Sequence, residues 1–480
     1  MQNIIRKMIL NNKYKFLISN TGLFFISTFS SKFLVFLLMP IYTAVLTPDQ
    51  FNAADLVTQT ANLLIPLVSL GIPNSIIRFG LDKKYSRKGV FTVAALTYLF
   101  GFMVLLAFYP LIVKISFVQY YVRYLYLYLL CSCLRTLVQQ YTRARTYTRL
   151  YAIDGILATV NTLIFVYLFL VKFNMGVKGY IMATIAADFV SFLFLLVFSG
   201  AWKSFRLKSA KPRLAKEMLS YCLPLIPTGV FWWVTNVSDR YLVTAISGAS
   251  IAGIYAISYK IPSIVNLFST VFTEAWQISA VQEGQEKNPE KFFKNVFRAY
   301  QSIMFMAGAG LILLCRPMTS FMVAAEYYES WRFIPVLIMA TIFSSFSGFM
   351  SSIYMVQKNG KANLYTMMAG AFSNIGMNML LIPKMGAQGA AIATFLSYLL
   401  VFILRALGTR KFINISISPV FMAVNVVLIA ALSYVMINEM THWIIISTVL
   451  TAVIVVYNFL PLFNFIKPLI KTVLRKLKRA

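Results

Sequence analysis

SKFLVFLLMPIYTAVLTPDQFNAADLVTQTANLLIPLVSLGIPNSIIRFGLD, residues 31–82, is the stretch that decides the fold. It opens inside an apolar run at 18–45, turns at Thr47-Pro48-Asp49, and is apolar again over 54–79 until Arg78 and Asp82 close it. A helix needs roughly 20 apolar residues to cross a bilayer, so the stretch describes a pair of spans joined by a short turn. Working outward, stretches of the same length recur at 90–113, 120–141, 152–171, 177–200, 218–246, 249–276, 295–315, 332–356, 362–383, 386–408, 417–437 and 443–464. The chain is therefore predicted to be an all-α polytopic membrane protein with about 14 transmembrane helices.

Composition agrees. Of 480 residues 59% are hydrophobic and 12% charged, about half the charged fraction usual in soluble domains, which excludes soluble enzyme folds. Cys131, Cys133, Cys222 and Cys315 lie in apolar stretches without metal-ligand spacing and read as small core residues. The basic opening MQNIIRKMILNNKYKFLISN has neither a compact apolar core nor an A-x-A site, so the first helix is expected to be retained. The balance of 44 Lys+Arg against 14 Asp+Glu is a statement about topology. Thirty-two of those basic residues fall on one set of alternating loops, seven on the other and five within spans. By the positive-inside rule both termini are cytoplasmic, in a multi-pass membrane protein. The tail at 467–480 reads as a headgroup-binding segment, and nucleic acid is not expected as a partner.

The chain resembles itself. Thr28, Ser31 and Lys32 recur as Asn236, Asp239 and Arg240; LTPDQFNAADL (46–56) resembles ISGASIAGIYA (246–256); GVKGYIMAT (176–184) resembles GAQGAAIAT (386–394). Three similarities in one order at offsets near 200 predict two six-helix bundles, 1–200 and 218–411, related by a pseudo-two-fold along the membrane normal. A basic cytoplasmic linker at 201–217 joins them, and two further helices at 412–466 precede the tail. Two bundles around a central cavity suit alternating access. No loop is long enough for a nucleotide-binding domain and no G-x-x-x-x-G-K-[ST] occurs, so an enzyme or ATP-driven pump is not expected. No D-x-D is present, and the single histidine, His442, is placed in an outer loop, so no metal or cofactor site is expected beyond a coupling proton or sodium ion.

Ionisable residues inside spans are costly and are functional by default. Lys32, Arg135, Arg240 and Lys260 lie well inside spans against Asp188 and Asp239, with Arg78 and Glu274 near span ends. Positive charge is in excess, which suggests a water-filled cationic lumen. Lys260 and Asp239 could instead form an ion pair, and Arg135 with Asp188 is expected to be a buried pair. Trp232 and Trp233 are candidate sugar contacts, against the alternative of packing.

The run at 31–82 resembles the opening of bacterial polysaccharide-unit flippases of the Wzx type, in the superfamily that also holds multidrug extruders and the lipid II flippase. The resemblance rests on Ser31-Lys32, Pro40 with Tyr42-Thr43, Leu46-Thr47, Pro66, Gly71 and Arg78-Phe79 with Asp82. DRYLVTAISGASIAGIYAISYKIPSI (239–264) and NIGMNMLLIPKMGAQGAAIAT (374–394) resemble two further signatures, while Phe51-Asn52-Ala53 departs from the aromatic-Gly usual in the outer turn. The resemblance implies transfer of an undecaprenyl-diphosphate-linked oligosaccharide to the outer leaflet, with Lys32, Arg78, Arg240 and Lys260 lining a cationic lumen and Asp239 as counter-charge or coupling residue. Implied partners are that glycan, membrane lipids and other polysaccharide-assembly proteins. A drug/cation antiporter of the same superfamily would present carboxylates in its lumen, and a non-transport scaffold of an envelope assembly complex would tolerate loss of every cavity charge.

Overall fold

The computed structural model describes residues 36–477 apart from 37, 83, 116–117, 284–288 and 358. Among the described residues the chain is helical without strands. Among the described residues nine helices are long and apolar enough to cross a membrane, or eleven spans if each of two bent pairs is one span. This is a multi-pass membrane protein.

The first helices are α1 (Met39–Val45), α2 (Pro48–Val68) and α3 (Ile72–Leu81). Thr47 starts α2: its hydroxyl accepts from the Gln50 N–H while the Gln50 side chain accepts from the Thr47 N–H, and Pro48 occupies the first turn, where its missing N–H costs nothing. Leu70 and Gly71 then take positive φ (48° and 67°), and α3 leaves α2 at 49°. The expected span at 54–79 is thus broken. The expected span at 249–276 breaks likewise, into α11 (Ala249–Ser258) and α12 (Pro262–Glu283), bent by 43°. Both breaks fall at an Ile-Pro pair, Ile72-Pro73 and Ile261-Pro262, because a proline supplies no N–H to the turn before it. They lie at different depths, after 21 helical residues in one and 10 in the other.

Between these pairs run α4 (Arg87–Ala107), the single turn α5 (Tyr109–Ile112), α6 (Val122–Ala144), α7 (Thr148–Val166), α8 (Gly176–Ser199), α9 (Pro212–Cys222) and α10 (Ile226–Ser247). After them come α13 (Pro289–Met322), α14 (Ile334–Val356), α15 (Gly360–Thr409), α16 (Pro419–Asn438) and α17 (Trp443–Leu477). Each expected span from 54 onward has a counterpart, and the expected span at 18–45 lies outside the described residues save its last residues. The spans at 362–383 and 386–408 are the two halves of α15, parted at Gly386, whose φ of 58° and ψ of −142° are open to glycine. The Asn374 amide reaches the Thr394 hydroxyl at 3.5 Å, whereas 20 residues of straight helix would separate them by about 30 Å. The two halves therefore fold back on each other.

The chain divides into two compact units at 230/231, within α10. The stretch 201–217, expected as a linker, is folded onto the first unit. The Tyr141 hydroxyl donates to Ser204 Oγ (2.9 Å) and the Arg206 N–H to Thr92 Oγ1 (3.0 Å), while Ala201 is fully buried. In the same unit α4 meets the end of α2 at Gly101, where a Cβ would stand 1.8 Å from the Val68 carbonyl oxygen.

The second unit has an aromatic interior. Phe272 stacks on Tyr300 (4.1 Å) and Trp276 on Phe349 (4.6 Å), with Trp276 Nε1 donating to Ser352 Oγ at 2.7 Å. The last two helices are clasped to it. Arg316 of α13 lies between the indoles of Trp331 (4.4 Å) and Trp443 (4.5 Å) and pairs through Nη2 with Glu439 Oε1 (2.8 Å). Such stacking of a cation between aromatic faces adds to the ion pair. All four cysteines are free and buried.

Candidate functional site

Asp239, in the second unit, has no exposed surface. Tyr255 and Tyr259, one turn apart on α11 and just beyond its end, donate to its Oδ2 at 2.7 and 2.5 Å. The Thr394 hydroxyl, from the second half of α15, donates to the same oxygen at 3.2 Å. Oδ1 accepts from the Arg240 backbone N–H at 2.9 Å. The network continues outward: Ser238 Oγ and Asn378 Nδ2 both donate to Asn374 Oδ1 (3.0 and 2.9 Å), and the Asn374 amide meets Thr394. Four hydrogen bonds converge on this one carboxyl group, so the cage holds Asp239 and ties α10, α11 and both halves of α15 together.

Arg240 is 9% exposed, with its guanidinium over the Tyr259 ring at 4.7 Å. It thus shares with Asp239 the tyrosine that bonds the carboxylate. Lys260, expected within a continuous span, sits instead in the break between α11 and α12, half-buried, its N–H donating to Ile257 O and its carbonyl accepting from Ser263 Oγ. Arg78 is exposed at the end of α3 and stacks on Tyr221 of α9 at 5.0 Å. Trp232 is 55% exposed, while Trp233 packs on Tyr241 at 5.6 Å. Lys32 lies outside the described residues, and Glu274 is without a described side chain. Asp239, Arg240 and the aromatic faces of Tyr255 and Tyr259 therefore form one site. Arg78 belongs to the other unit.

The expected pair of Arg135 and Asp188 is present at 2.6 Å. Arg405, counted from the sequence as a cytoplasmic loop charge, is corrected: it is 4% exposed within α15. Its Nη1 donates to Ser347 O (2.9 Å) and its Nε to Thr366 Oγ1 (3.1 Å), and among the described residues no carboxylate pairs with it. The long side chain turned back from the span end to oxygens on α14 and the first half of α15. Asp55, overlooked by the sequence reading, is buried in α2 at 4% exposure and accepts from Gln59 Nε2 (3.3 Å).

An apolar helical membrane protein with ionisable side chains caged inside its spans has the build of a transporter rather than of an anchor. The model of the family described as "Polysaccharide biosynthesis protein" matches residues 17–277, more than half of the chain, and the chain belongs to that family. No curated protein matches it significantly. Among solved structures it is similar to the lipid II flippase MurJ in an inward closed conformation, at 14% identity with a TM-score of 0.68, covering 95% of this chain and all of that one. It is similar at 14% identity to a multidrug resistance MATE family transporter of the MOP superfamily. The inward-facing form gives a TM-score of 0.67 over 79% of this chain and 95% of that one; the outward-facing form gives 0.63 over 82% and 94%. The chain shares the fold of these solved structures.

Proposed function

We propose that the protein is a flippase carrying an undecaprenyl-diphosphate-linked oligosaccharide repeat unit from the cytoplasmic to the outer leaflet of the bacterial cytoplasmic membrane. It would work by alternating access, with both termini cytoplasmic, in the biosynthesis of O-antigen, capsule or exopolysaccharide. Membership of the polysaccharide biosynthesis family carries this reading, and the basic residues expected to line the lumen support an anionic substrate. A diphosphate bears two or more negative charges, which Lys32, Arg78, Arg240 and Lys260 would attract strongly where water is scarce. Trp232 and Trp233 would contact sugar. Asp239 would act as counter-charge, or through its cage couple the cycle to a proton or sodium ion. Membrane lipids and other polysaccharide-assembly proteins are the remaining partners.

Depleting the protein tests the proposal: lipid-linked repeat units are expected to accumulate on the cytoplasmic leaflet. Absence of accumulation would refute it. In the same assay Lys32→Ala is expected to lower export by about tenfold or more at matched protein level, a loss of about 1.4 kcal/mol per tenfold in transition-state stabilisation. Lys32→Arg should keep part of it.

The likeness to multidrug transporters favours a second reading, a drug/cation antiporter. That protein would confer resistance to cationic amphiphiles, and its loss would leave lipid-linked units distributed normally.

A further inference from the structure

The first unit holds a cluster with unbalanced charge, built from α6, α7 and α8. Arg135 stands between two carboxylates. Asp188 is satisfied: Oδ1 accepts from Arg135 Nη1 at 2.6 Å and Oδ2 accepts from the Ser132 hydroxyl. Asp154, with no exposed surface, is held more loosely. Its Oδ2 accepts from Arg135 Nη2 at 3.5 Å and from Gln139 Nε2 at 3.2 Å, while its Oδ1 has no hydrogen bond of good geometry among the described residues. Ser191 of α8 is also fully buried, lies beside the Asp154 carboxyl, and its Oγ makes no hydrogen bond of good geometry.

Among the described residues, one guanidinium against two carboxylates leaves this cluster a net charge of minus one. Among the described residues the other titratable groups near the cluster are Tyr128, Cys131 and Cys133 of α6, with Tyr180 of α8 beside Tyr128, and none of them is basic. Asp55 on the neighbouring α2 is engaged with Gln59. Rotating the Ser191 hydroxyl would satisfy Asp154 Oδ1 but would leave the charge in place. An uncompensated buried charge is strongly unfavourable, and in a membrane helix it calls for a counter-ion.

We propose that Asp154, with Ser191 and the Arg135–Asp188 pair, forms a binding site for one monovalent cation. The ion is either a proton carried on Asp154 or a sodium ion held at Asp154 Oδ1 and Ser191 Oγ. It brings the cluster to neutrality. The use of this site to drive a transport cycle rests on the flippase reading, but binding itself does not.

The test uses the full-length protein purified in detergent, without glycan substrate. Melting is followed by tryptophan fluorescence in about 0.1 M sodium chloride against choline chloride, and the carbonyl stretch of a protonated carboxyl is followed by infrared difference spectroscopy on raising pH. A sodium site predicts a melting temperature higher by about 2–5 °C in sodium, as for any ligand well above its dissociation constant. A proton site predicts no sodium effect and a protonated-carboxyl band at neutral pH. Either response should vanish in Asp154→Asn, which makes the cluster neutral. If that variant does not fold, Asp188→Asn removes the same charge and should abolish the response equally. Ser191→Ala should weaken sodium binding and spare the proton band. Neither response in the wild type, or a response undiminished in the neutralised variants, would overturn the proposal. Accumulation of lipid-linked units on depletion is read separately, so failure here leaves the flippase reading standing.

Discussion

Asp239→Ala is expected to strip most of the folded protein from the membrane. The substitution removes the acceptor shared by Tyr255, Tyr259 and Thr394, in a place without exposed surface. Each buried hydroxyl left without an acceptor costs about 1–3 kcal/mol. One tyrosine hydroxyl can still donate to the other, 3.1 Å away, so two are stranded and the loss is about 2 kcal/mol or more, a large share of the roughly 5–15 kcal/mol by which folded domains are stable. Asp239→Asn is the instructive contrast, since its carbonyl still accepts and the hydroxyls can turn to accept from its amide. It should keep protein level well above that of the alanine variant. Immunoblotting of membranes and melting of the purified variants measure both. An alanine variant that melts like the wild type would mean the cage finds other acceptors, and the structural role of Asp239 would be withdrawn.

Gly101→Ala is expected to be nearly as damaging although it adds one methyl group. The new Cβ would stand 1.8 Å from the Val68 carbonyl oxygen, and the obstacle is backbone, so no side-chain rotation relieves it. α4 must move away from α2. Overpacking costs typically about 1–3 kcal/mol, and a backbone clash falls at the upper end. Gly155→Ala in α7 provides the control, because its Cβ would meet nothing within 4 Å. There the gain in helix propensity, about 0.5–1 kcal/mol, should leave melting unchanged or raised. Equal melting of the two variants would show that α4 and α2 do not approach as closely as described.

The spans were legible because twenty-residue apolar runs closed by charges are a strong signal. So was the Arg135–Asp188 pair, since neither residue could stand alone inside a bundle. Asp154 escaped notice because it lies near the start of α7, where a carboxylate looks like a loop charge. Arg405 was misplaced for the opposite reason: its backbone is at a span end, but its side chain turns inward to Ser347 of α14 and Thr366 in the first half of α15. The cage around Asp239 shows the limit most clearly. Stretches 239–264 and 374–394 stood out as signatures, yet nothing in them says that Tyr255, Tyr259 and Thr394 converge on one oxygen. That convergence depends on the break at Gly386 and on the turn after Ser247, where Gly248 takes a φ of 93°.

The clasp around Arg316 has a consequence for the order in which the chain is made. Trp331 follows Arg316 closely, but Trp443 and Glu439 leave the ribosome roughly 120 residues later. At about 5–20 residues per second the guanidinium waits on the order of ten seconds with one indole face and no carboxylate. During that interval the nascent second unit carries a half-dressed cation. Only arrival of the final hairpin completes it, so a chain halted before 439 would bear a mark of incompleteness that a quality-control protease could read.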